Sequence, residues 1–148
     1  MNVLVAYASV HGSTAEVGEF IGKTLQERGL KITTANVNSV RIVSPYDVVI
    51  LGTAIQTGTW LPEMIDFVTR FEDMLASKPL YLWVSCIRVL EPHGQQHVLE
   101  NYMANDLLEK LTVRDIAVFP GKLDLQQVDW NERWTLAGQL RRWLRKPA

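Results

Sequence analysis

Three mainly apolar runs, residues 3–7, 48–52 and 80–85, and a strand-like stretch over 113–119 that Pro120-Gly121 ends, alternate with segments whose apolar side chains recur at helical spacing, and this alternation leaves few folds open to a chain of 148 residues. A run that is apolar at successive positions reads as a strand covered on both faces. Residues 31–37 alternate well enough to add a further strand, second in chain order. Strands that alternate with helices are joined by right-handed crossovers into a mostly parallel sheet. The expectation is therefore an α/β fold in a single domain, 1–148: a doubly wound five-stranded parallel sheet, order 2-1-3-4-5, with helices on both faces.

The helical segments carry their own punctuation. From Thr14, the apolar positions Val17, Phe20, Ile21, Thr24 and Leu25 fall on one face; Ser13 and Glu16 have capping-box spacing, and Gly29 ends the run. Pro62 suits the first turn of a helix bearing Met64, Ile65, Phe67, Val68 and Phe71, and Pro79 precedes the next strand. Residues 97–111 read as one amphipathic helix through Val98, Leu99, Tyr102, Met103, Leu107, Leu108 and Leu111. A last helix is expected from near Asp129, with Trp130, Trp134, Ala137, Leu140 and Leu144 on one stripe.

Composition removes several classes. No apolar run approaches the roughly 18 residues of a membrane span, and no basic, cleavable leader precedes the first strand, so a cytoplasmic protein is expected. Cys86 is the one cysteine and cannot form an internal disulfide, and no Cys/His spacing suits zinc or an iron–sulfur cluster. The net charge of −1 hides an asymmetry: residues 1–128 hold ten basic and fourteen acidic side chains, residues 129–148 five and two. The basic tail reads as a solvated helix face, with no nucleic acid expected as a partner. A bolder reading sets this basic, Trp-bearing helix against an anionic membrane; the plainer one packs Trp130 and Trp134 on the sheet.

In doubly wound sheets ligands bind outside the carboxyl ends of the strands, at the switch between strands one and three. Three segments reach that edge. Ser9, Val10, His11, Gly12, Ser13 and Thr14 form a hydroxyl-rich turn into the first helix, suited to aim backbone N–H groups and hydroxyls at one phosphate. Its single glycine lacks the G-x-G-x-x-G of dinucleotide sites, and no Walker sequence occurs. Thr53, Ala54, Ile55, Gln56, Thr57, Gly58, Thr59 and Trp60 form a polar loop whose indole is expected to be exposed as an aromatic wall beside a planar ligand. Ser85, Cys86, Ile87 and Arg88 follow the next strand. The alternatives are a helix-capping βα turn for the first loop, and Trp60 packed beneath Pro62 for the second.

These residues resemble the flavodoxin-like family, whose first loop runs roughly [ST]-x-[TH]-G-x-T; Ser9 to Thr14 match it, and Tyr46 to Gly52 resemble the family's third strand. The stretch from Gly52 to Pro62 resembles the glycine-spaced loop of the branch that includes menaquinone-dependent protoporphyrinogen oxidases. The resemblance implies flavin mononucleotide (FMN) as cofactor, its phosphate on Ser9 to Thr14, its isoalloxazine lined by Ala54 to Trp60 and its pyrimidine side closed by Ser85 to Leu90. It implies electron transfer or oxidoreduction with a protein partner or a small oxidant such as a quinone. Alternatives are a protoporphyrinogen oxidase-like enzyme and a flavin-free interaction module. The chain departs from the pattern in having no aromatic at 85–90, no strong acidity and no longer insertion between Phe119 and Asp129.

On that basis Arg88 is the cation to approach the flavin N1/C2 edge, where an opposite charge at 4 Å and an effective dielectric constant of 20 is worth about 4 kcal/mol; the plainer reading pairs it with Glu91. Gly58 is the residue whose peptide can flip on reduction. Cys86 reads as a small buried filler, and His93 and His97 as surface and helix-start residues. Neither a redox partner nor an oligomeric state is legible.

Overall fold

A computed structural model describes residues 1–9, 12–86 and 91–119. Strand β1 (Asn2–Ala8) leads into helix α1 (Ser13–Glu27), then β2 (Lys31–Asn36), a 3-10 turn (Val37–Ser39), β3 (Val48–Gln56) and a short β4 (Thr59–Trp60). Helices α2 (Pro62–Arg70) and α3 (Glu72–Ala76) precede β5 (Leu80–Ser85); α4 (Gly94–Asn101) and α5 (Asn105–Leu108) precede β6 (Val113–Phe119). The main sheet runs β2-β1-β3-β5-β6, every neighbour parallel. This is the expected 2-1-3-4-5 order, with β4 added as an antiparallel partner of β3.

Strand parity splits the core into two layers. Val3, Val5, Val48, Ile50, Tyr81 and Trp83 meet Val17, Ile21 and Leu25 of α1 on one face. Leu4, Ala6, Val49, Leu51, Leu82 and Val84 meet Met64, Phe67 and Val68 of α2, Leu75 of α3 and Val98 of α4 on the other. Every residue of β5 is buried, as a central parallel strand requires. Gly52 is glycine because Trp83 lies flat upon it: a Cβ there would stand 1.8 Å from Trp83 Cε2. Helix α1 closes with a Schellman pair, Gly29 N–H to Gln26 O at 2.9 Å and Leu30 N–H to Leu25 O at 3.4 Å.

Three expectations change. The segment read as one helix over 97–111 is two, because Ala104 takes a left-handed conformation (φ 50°) between α4 and α5. Ser13 does not take the N-cap position that a Ser13/Glu16 capping box needs: its backbone is already helical and Gly12 is the N-cap, with no side-chain cap hydrogen bond among the described residues. The polar loop after the third strand is mostly a hairpin, since β3 continues to Gln56 and pairs Ile55 with Trp60 and Gln56 with Thr59. The helix expected from Asp129 lies outside the described residues.

Candidate functional site

Register brings the three segments to one edge. Ala8 is level with Thr53, and Ala54 with Ser85, which is in turn level with Phe119. The turn after β1, the hairpin after β3 and the exit from β5 therefore leave adjacent strands at neighbouring heights. Because β2 lies on one side of β1 and β3 on the other, this edge is also the topological switch.

At the first segment the chain turns sharply. Ser9 Oγ accepts the Gly12 N–H at 3.0 Å, and Gly12 adopts φ +87°, a conformation that glycine reaches without steric cost. Among the described residues, nothing lies within 4 Å of where a Gly12 Cβ would be. The first intrahelical bond is Glu16 N–H to Gly12 O at 2.9 Å. Among the described residues there is no side-chain cap here, and a helix start of this kind presents first-turn amides and the positive end of the helix dipole. Thr14 is 1% exposed at the head of this helix. Val10 and His11 lie outside the described residues.

The hairpin turns on Thr57 (φ 55°) and Gly58 (φ 76°), positive at both central positions as a tight two-residue turn requires. Thr57 is β-branched, so this conformation costs roughly 1–2 kcal/mol. Thr53 is buried, its hydroxyl accepting the Leu61 N–H at 3.3 Å and donating to Ala54 O at 2.9 Å, so its hydroxyl braces the hairpin base. Ala54 and Ile55 are half-buried, while Gln56, Thr57 and Thr59 are exposed.

Trp60 corrects the expectation of an exposed aromatic wall. Only 2% of it is exposed, and it packs in the core with Leu61 and Met64. Burying so large an apolar surface outweighs leaving its Nε1 without a hydrogen-bond partner among the described residues. The indole thus anchors the hairpin from below.

Ser85 ends β5, is 4% exposed, and its Oγ has no hydrogen-bond partner among the described residues. Buried hydroxyls are nearly always bonded, so one without a partner among the described residues, at the carboxyl edge of the sheet, is a candidate to bond a ligand there. Cys86 is buried in the core, its N–H on Phe119 O at 2.8 Å, as expected of a filler. Ile87 and Arg88 lie outside the described residues, and with them the proposed contact of Arg88 with the flavin. His93 is exposed and is the N-cap of α4. His97, read as a helix-start residue, stands within α4, half-buried, 3.1 Å by its Nε2 from Tyr102 Oη. The sequence reading placed neither residue at the site; an imidazole and a phenol five residues apart were the available signal.

The flavodoxin domain family matches residues 4–139 of the chain. Protoporphyrinogen IX dehydrogenase (quinone) of Escherichia coli K12 is 25% identical over 141 residues, covering 92% of this chain and 77% of that protein. Among solved structures, two-electron reduced flavodoxin from Megasphaera elsdenii superposes with a TM-score of 0.66 at 16% identity, over 96% of this chain and 99% of that one. A flavodoxin from the domain Archaea gives 0.64 at 14% identity, over 96% and 92%. Rubredoxin:oxygen oxidoreductase of Desulfovibrio gigas gives 0.62 at 12% identity, over 98% of this chain and 37% of that larger one. The structural likenesses bear on the fold.

Proposed function

The chain belongs to the flavodoxin domain family, and from that premise we propose that it exchanges electrons with a redox protein or a small oxidant such as a quinone, using FMN held at the carboxyl edge of the sheet. FMN is the cofactor of this domain, and FMN-type electron transfer or oxidoreduction its chemistry. The observation that carries the placement is the uncapped start of α1 behind Gly12, on the same edge as the solitary Ser85 hydroxyl. One supports a phosphate monoester; the other supports a hydrogen-bonding ligand deeper along the edge.

The residues present fit that group. Ser9, Val10, His11, Gly12, Ser13 and Thr14 would hold the phosphate through first-turn amides and hydroxyls. Ala54 to Thr59, chiefly the backbone of the exposed turn, and Ser85 to Arg88 would flank the ring, with Thr53 and Trp60 supporting the hairpin from beneath. When bound, FMN supplies the redox step itself. The chain's part is to grip the phosphate, exclude water from the inner face, and fix the polar groups that set the relative affinity for the oxidised and reduced cofactor.

A second reading, oxidation of a porphyrinogen, is favoured by the Escherichia coli relative, whose name carries both that substrate and quinone. The separating experiment loads the protein with FMN, reduces it, and follows reoxidation by stopped flow against a soluble quinone; oxidised protein is mixed with protoporphyrinogen in parallel. Saturable reoxidation by quinone supports the first reading. Porphyrinogen turnover supports the second, and failure of both leaves a protein-partner carrier.

A further inference from the structure

Tyr102, the C-cap of α4, lies in none of the three segments that meet the ligand edge, yet its ring rests on the Thr57–Gly58 turn. A Cβ built on Gly58 would stand 3.3 Å from Tyr102 Cε1, 3.7 Å from Cδ1 and 3.8 Å from Cζ. The ring therefore covers the side of the turn from which a side chain would project. It is held in its turn from behind. His97 stands edge-on to it, ring centroids 5.0 Å apart and planes at 88°, with Nε2 3.1 Å from the phenol oxygen. Asn101 Nδ2 lies 3.3 Å from His97 Nδ1 and donates to His97 O at 3.0 Å. An amide N–H can only donate, so Nδ1 is assigned as acceptor and the imidazole proton to Nε2, which donates to the phenol.

We propose that Tyr102 is a positioning residue for the flavin: braced by His97 and Asn101, it clamps the Thr57–Gly58 turn in its left-handed conformation and so sets the balance between oxidised and reduced FMN. The inference rests on the reading that this hairpin flanks the ring. A turn free to exchange peptide orientations adapts to both redox states; a clamped turn stays as the receptor for the oxidised cofactor. Releasing the clamp should then favour reduced FMN.

The test compares the native chain with Tyr102→Ala and Tyr102→Phe, which keeps the ring and loses the hydroxyl. In the FMN-free chains, amide exchange at Gly58 and Thr59 is expected to quicken by about tenfold in Tyr102→Ala and to return towards the native rate in Tyr102→Phe. With FMN, Tyr102→Ala should raise the affinity for reduced relative to oxidised cofactor by about threefold or more, read as a higher midpoint potential. Native-rate exchange in Tyr102→Ala, or an unchanged or lowered potential, overturns the clamp. Should Tyr102→Ala fail to fold, Tyr102→Leu, which keeps apolar volume without a ring edge, carries the same two readouts. If the native chain binds no FMN, the functional reading falls, while the exchange arm still decides whether the clamp exists.

Discussion

Ser85 is the side chain whose behaviour most sharply separates scaffold from ligand site. Its buried hydroxyl has no partner among the described residues, so removing it breaks no hydrogen bond among them. Ser85→Ala should leave the urea midpoint of the FMN-free chain unchanged or raised, and weaken FMN binding by about tenfold, as loss of one hydrogen bond predicts. Tyr7 offers a test of a different kind. Burial first, and then the Glu19 carboxylate, hold its phenol above the ordinary value of 10.0. The folded chain keeps a proton that the unfolded chain has released, so this contribution is complete below that value and is lost as pH rises through the folded one. Tyr7→Phe should therefore flatten the alkaline decline in stability above pH 10.0 and leave neutral stability nearly unchanged, as denaturant titrations at both pH values would show. Single residues were also where sequence reasoning misplaced detail. Trp60 looked exposed because its neighbours Thr57, Gly58 and Thr59 are polar, but two-residue alternation within β4 sends its side chain inward.

Elements were legible in proportion to how continuous their burial is. Strand β5, buried at every residue, begins and ends where its apolar run does, since a strand covered on both faces writes its length into the sequence, whereas β6 is buried only over its last three residues and was legible from its β-compatible end and the Pro120-Gly121 stop. The hairpin was missed although its signal was present: two residues, Thr57-Gly58, between β-compatible pairs. Thr57 stands where such turns favour Asn, and its positive φ stores strain. Thr57→Asn should accordingly stabilise the FMN-free chain by about 0.5–1 kcal/mol, measured by thermal or urea unfolding, and no gain would mean that the turn is not held as described. The broken helix over 97–111 was illegible for a physical reason. Two short helices packed on the same sheet face keep their apolar positions in phase, and the break falls at Ala104, a residue of high helix propensity that tertiary packing holds left-handed. The uncapped start of α1 shows the converse. Ser13 and Glu16 have the spacing of a cap, but Gly12 takes the N-cap position, and no side-chain cap is made among the described residues.

At the scale of the molecule, the strand alternation determined topology, and topology alone predicted the edge on which the three candidate segments meet. The sequence could not reveal that Tyr102, more than forty residues beyond the hairpin, closes over it, because that contact depends on where α4 crosses the sheet. The proposed placement makes one demand: a phosphate monoester must account for much of the cofactor's affinity, because the start of α1 carries no side-chain cap among the described residues. The direct measurement is a fluorescence titration of the FMN-free chain with FMN and with riboflavin, which differ only in that phosphate. At least about a hundredfold preference for FMN, some 2.7 kcal/mol, is the result expected. Equal affinity for the two flavins would contradict the phosphate site at the start of α1.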